Sequence, residues 1–134
     1  MAITLYHLTQ SKNIQSIIQS GLRPSNDGLV YFSLKKYDTI FLAPCSSEIL
    51  FSHTQKDAPE MVILGIKFEK DKLRKSFIKP LSVTDDNGYT HTVVAIMYPG
   101  VVSFVGDMEI TPITTNEILE RYRKSDYVDN DTKL

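Results

Sequence analysis

A single cysteine, Cys45, stands in 134 residues, so no internal disulfide can form and the chain is not a disulfide-stapled scaffold. With no base near it in sequence, the thiol reads as buried or incidental rather than nucleophilic. No apolar run approaches the ~20 residues that a membrane helix needs. The chain also opens without a charged region followed by an apolar stretch of signal-peptide length. These absences predict a soluble, cytoplasmic protein with no membrane contact. Fifteen Lys and Arg against sixteen Asp and Glu leave a net charge of −1, so there is no overall positive field to hold nucleic acid. The one dense run of cations, Lys70, Lys72, Arg74, Lys75 and Lys79, reads first as a solvated face. His53 and His91, with Asp57, Asp85 and Asp86, follow no recurrent zinc or iron spacing and read as exposed turn residues, so no metal is expected. Repeats, low-complexity tracts and internal linkers are absent too.

What is present is the apolar content of one compact domain, 42% of residues, expected over 1–124 with 125–134 as a tail. Ala2 to Tyr6 alternates as a first strand and delivers His7 to a strand-to-helix junction. A helix follows, capped by Thr9 or Ser11, with Ile14, Ile17 and Ile18 on one face and Gly21 at its end. Pro24 to Gly28 turns into a strand at Leu29 to Ser33, with Tyr31 at its centre. Tyr37, Ile40 and Phe41 suggest a helical turn that Pro44 limits. Met61 to Phe68 is a central strand by its nearly continuous apolar run. Ser76 to Val83 and Tyr89 to Met97 form a hairpin about Asn87-Gly88. Short strands at Val101 to Val105 and Met108 to Thr111 precede a capping box, Thr114-x-x-Glu117, that opens a helix to about Arg123. Strands and helices do not alternate as in a doubly wound sheet, so the class is α+β.

Three patterns carry chemistry: Leu5-Tyr6-His7-Leu8-Thr9 before a helix closing in Gly21-Leu22, then Val30-Tyr31-Phe32-Ser33, then Gly106-Asp107-Met108-Glu109-Ile110. Taken alone, His7 reads as a hydrogen-bonded structural residue and Tyr31 as core. Glu109 inside an apolar strand is the odd one, since a carboxylate rarely sits there without a partner or a purpose.

In order and context these segments resemble the ADP-ribosyltransferase superfamily of the diphtheria-toxin and poly(ADP-ribose) polymerase type, and the small DNA-targeting ADP-ribosyl toxins within it. The family triad of His, Tyr and Glu lies on three separate strands. The resemblance covers residues 5 to 33 and 104 to 122. It implies an α+β fold with a split, mixed β-sheet core and a few short helices. It implies NAD as substrate and His7, Tyr31 and Glu109 as the catalytic triad lining one cleft. Glu109 would oppose the positive charge that develops on the ribose as the nicotinamide bond breaks. His7 would hold the adenosine-side ribose, Tyr31 would stack on nicotinamide, and Thr9 would support the pocket. Leu8 departs from the family glycine, yet its backbone N–H and C=O remain available to the nicotinamide carboxamide. Tyr37 or Phe41 would supply the second aromatic wall. The implied activity is mono-ADP-ribosyl transfer to a macromolecular acceptor, protein or nucleic acid. Alternatives on the same fold are RNA 2′-phosphotransfer, for which Tyr31 replaces an expected His, NAD hydrolysis, and a non-catalytic ligand- or partner-binding module.

Overall fold

A computed structural model describes residues 2–42, 60–84, 90–103, 108–114, 116–118 and 120. The fold is α+β, built on one six-stranded sheet. Its strands are β1 (Ala2–Gln10), β2 (Leu29–Ser33), β3 (Met61–Glu69), β4 (Phe77–Thr84), β5 (Thr90–Pro99) and β6 (Glu109–Ile113). They lie in the order β4-β5-β2-β1-β3-β6, and every neighbouring pair is antiparallel. The expected mixed sheet is therefore corrected to an antiparallel one. The seven residues of helix α1 (Ile14–Ser20) rise only about 10 Å. They do not carry the chain back along the roughly 30 Å of β1, so β2 starts at the far end and returns antiparallel.

β1 runs past its expected end because β3 pairs with it along its whole length, from Ala2↔Glu69 to Gln10↔Met61. His7 accordingly lies inside a strand, and the junction moves to a 3-10 turn at Ser11–Asn13. Neither Thr9 nor Ser11 caps α1, which is entered through that turn with no side-chain cap bond. Only Ile17 of the expected helix face is buried; Ile18 is exposed.

The helix ends at Gly21, whose φ of 81° and ψ of 177° suit glycine alone. A Cβ there would meet the Val102 carbonyl oxygen at 2.4 Å. This close approach lets Leu22 and Val102 exchange backbone hydrogen bonds of 2.8 and 2.9 Å, so the strand expected at 101 to 105 is a single bridge among the described residues.

Each face of the sheet carries a core. Leu5, Ile17, Leu22, Val30, Phe32, Leu64 and Phe68 pack on the α1 side. Leu8, Ile40, Met61, Ile63, Ile113 and Ile118 pack on the other, beneath a 3-10 helix at Lys36–Phe41 that reaches over β1, β2, β3 and β5. The hairpin of β4 and β5 is present, while its Asn87-Gly88 turn lies outside the described residues, as do Pro44, Cys45, His53, Asp57, Asp85, Asp86 and the tail. His91 is not an exposed turn residue: it is buried on β5 and its ring stacks on Phe41 at 4.9 Å. The capping box forms, with the Glu117 N–H donating to the Thr114 hydroxyl at 3.1 Å, and helix follows at 116–118 and 120. Among the described residues no helix is long and apolar enough to cross a membrane, and no group of three or more His, Cys, Asp or Glu could hold a metal ion.

Candidate functional site

The seam between β1 and β2 is where the sheet is least complete. β1 pairs with β3 over nine positions but with β2 at one, Tyr6↔Ser33. Side chains occupy the gap beyond that pair. The His7 imidazole donates from Nδ1 to the Tyr31 carbonyl at 2.8 Å. The Leu8 N–H donates to the Thr39 hydroxyl at 3.0 Å. Both backbone groups thus find partners without a ladder, as buried main-chain groups must. Burial lowers the His7 pKa and outweighs the Tyr31 carbonyl, which acts to raise it, so the imidazole is held neutral.

Strand pleat decides which side chains share a face. Residues opposite one another across a sheet point the same way, and successive residues point oppositely. Ser33, Tyr6, Gly65 and Glu109 form one cross-strand row and share a face. Gly65 lets its row neighbours close over it: a Cβ there would stand only 3.2 Å from both the Glu109 Cβ and the Tyr6 Cε1. His7 belongs to the next row, with Leu64 and Ile110, and its ring packs at 5.7 Å from Phe32 on the α1 side. Tyr31 lies two residues from Ser33 and so takes the Glu109 face. The three side chains of the expected triad therefore do not line one face. The structure joins His7 to Tyr31 through the gap and sets Glu109 two strands from β1, on the far side of Gly65.

Glu109 is the first residue of the edge strand β6, half-exposed rather than enclosed. Its carboxylate accepts from Lys36 Nζ at 2.7 Å and from the Thr111 hydroxyl at 3.3 Å. The Lys36 ammonium holds the Glu109 carboxyl below its ordinary pKa, and the Lys36 pKa rises in return. Tyr31 is fixed by its hydroxyl, which donates to Asp27; that bond lowers the Asp27 pKa and raises that of Tyr31. Asp27 in turn accepts the Leu29 N–H at 3.0 Å, so the tyrosine is held by the turn that starts its own strand.

Thr9 is buried and turned toward the helix start, accepting from Asn13 at 3.3 Å. The Leu8 side chain points away from the gap into the second core, and its backbone N–H is buried beneath Thr39. Tyr37 and Phe41 both pack against that core, and Phe41 is engaged with His91. Three residues of this region were not singled out by sequence, Lys36, Thr39 and Gly65, and Tyr6 entered only as part of the first motif. Gly65 alone had a readable signal, since glycine inside a strand marks a close backbone approach.

No protein-family model, no curated protein and no solved structure matches this chain. The gap offers a main-chain N–H whose present partner is a hydroxyl, which an amide oxygen could replace. Beyond Gly65 on β3 stands an ionised carboxylate held by a cation. Between them the Tyr6 ring reaches over Gly65.

Proposed function

We propose that this chain is an ADP-ribosyltransferase that cleaves the nicotinamide glycosidic bond of NAD and passes ADP-ribose to a macromolecular acceptor, protein or nucleic acid. The observation that carries the reading is the interrupted seam between β1 and β2, where the Leu8 N–H lies outside the β1–β2 ladder and is capped by the buried Thr39 hydroxyl, which a carboxamide oxygen would displace. A nicotinamide carboxamide, with one acceptor and two donors, suits such an edge. The Tyr31 ring then flanks the nicotinamide, with Tyr37 from the overlying turn as the second aromatic. The ribose then lies toward Glu109, whose negative charge opposes the positive charge developing as the glycosidic bond breaks. His7 acts through the seam, ordering the Tyr31 backbone by its Nδ1 hydrogen bond.

The family resemblance of residues 5 to 33 supports the same reading. One observation favours the alternative of a binding module: the His7 ring stands on the face opposite Glu109, and Glu109 is already paired. Incubating the protein with labelled NAD and cell lysate separates them. Label entering protein or nucleic acid supports transfer. Label in free ADP-ribose alone indicates hydrolysis, and unaltered NAD overturns the enzymatic reading.

A further inference from the structure

The seam lies at the centre of the sheet; the β4 edge has a different character. Residues 67–79 hold six cations and two carboxylates, a local charge of +4 in a chain of net −1, so the rest of the chain carries −5. Lys70, Lys72 and Lys75 project from the 3-10 turn at Lys70–Lys75, and Lys79 from β4, all exposed. Arg74 of the same turn pairs with Asp71 at 3.4 Å, which leaves the excess of positive charge with the lysines. Beside them Phe77, the first residue of β4, is 59% exposed although it is a large apolar ring. Concentrated cations around an exposed aromatic are the two elements by which proteins hold unpaired nucleic-acid strands, the cations neutralising phosphates and the ring stacking on a base.

Register ties this edge to the rest of the molecule. Phe77 lies opposite Met97, and Met97 opposite Tyr31, so the two aromatics share a face at two strand spacings, about 10 Å. Lys79, Ala95, Ser33, Tyr6, Gly65 and Glu109 form the adjoining row across all six strands. Phe77 and Lys79 therefore share the face of Tyr31 and Glu109, with Met97, Ala95 and Ser33 buried between them, while the Lys70–Lys75 turn packs through Leu73 on the α1-side core.

Two other occupants fit less well. A peptide strand adding to the edge needs a regular backbone ladder, and Pro80 removes a donor from β4 while Lys79 charges it. A membrane surface needs a continuous apolar stripe, yet Phe77 and Ile78, 59% and 63% exposed, point to opposite faces of their strand.

We infer that the β4 edge, Phe77 with the lysines of the preceding turn and Lys79, is a docking surface for single-stranded nucleic acid. It binds sequence-independently, by phosphate neutralisation and base stacking.

The test is fluorescence anisotropy of the full chain with labelled single-stranded DNA and RNA oligonucleotides of about 15 nucleotides, and with a duplex of the same length. NAD is omitted, so failure here leaves the transferase proposal standing, and failure of transfer leaves this one standing. Single strands are expected to bind more tightly than duplex. Phe77→Ala is expected to weaken binding about tenfold, with Phe77→Tyr restoring it. Lys72→Glu with Lys75→Glu is expected to lower the slope of log affinity against log salt by about 0.7 for each phosphate that is no longer neutralised. Should Phe77→Ala fail to fold, this lysine pair, exposed on a surface turn, carries the test. Absence of binding at low salt, indifference of binding to all these substitutions, a preference for duplex, or capture by phosphatidylserine vesicles without capture of oligonucleotide would each overturn the inference.

Discussion

Lys36 and Glu109, 73 residues apart in the chain, meet at 2.7 Å across the face of the sheet, joining the turn after β2 to the edge strand β6. Both side chains are partly open to water, so the pair contributes little to stability and its consequence is electrostatic. Lys36→Met should return the Glu109 carboxyl toward its ordinary pKa, because the ammonium is what depresses it. The acid limb of the transferase pH profile should then move to higher pH with the melting temperature nearly unchanged. An acid limb that stays in place would show that another group governs it.

Glu109→Gln keeps size and most hydrogen bonding but removes the charge that opposes the developing cation. In the proposed reaction, turnover should fall about 100-fold to 1,000-fold while NAD affinity, measured by calorimetry, hardly moves. Full activity in this variant would remove Glu109 from the mechanism.

Gly21→Ala should destabilise the fold strongly. The backbone there costs a side chain on the order of 1–3 kcal/mol, and the added Cβ would meet the Val102 oxygen at 2.4 Å in addition. Urea denaturation should show the loss, together with weakened hydrogen-exchange protection at Leu22 and Val102, which bond to each other.

His7 makes stability pH-dependent. Its folded pKa is depressed by burial, so below the unfolded value of about 6.5 the unfolded chain takes up the proton more readily. The His7 contribution is fully present above that pH and declines as pH falls from there toward the folded pKa. His7→Gln should flatten this part of the profile, as read from urea midpoints. A variant with the same acid slope as the parent would assign it to other groups.

Thr39→Val should leave the Leu8 N–H without its partner, at a cost of about 1–3 kcal/mol. If the seam accepts a carboxamide, millimolar nicotinamide should raise the melting temperature of the parent. No shift in the parent would argue against the carboxamide edge.

Much of this architecture was legible in the residues. The apolar run from Met61 names β3, Thr114 and Glu117 name a helix start, and Gly21 names a helix end, because each signal is local. The face taken by His7 was not legible. It depends on β1 continuing in register with β3 as far as Gln10, and a shift of one residue would turn His7 and exchange it with Tyr6. Thr39 and Lys36 were hidden for a related reason: their partners, Leu8 and Glu109, are brought to them only by the assembled sheet. The parallel component of the expected sheet came with the family resemblance, and the short α1 removes it.

The single Tyr6↔Ser33 pair also sets an order of assembly. On one side of it, β4 and β5 are sequence neighbours and can pair as soon as they are made. On the other, β1 is held by β3 alone, and its first residue Ala2 waits for Glu69. During synthesis β1 therefore emerges well ahead of β3, the partner that pairs with its whole length, and until then Leu5 and Leu8 lack that cover. Closing the loop between β1 and β3 carries the entropic cost of a non-local pairing. Until it closes, β1 is the segment most exposed to misassociation with another nascent chain.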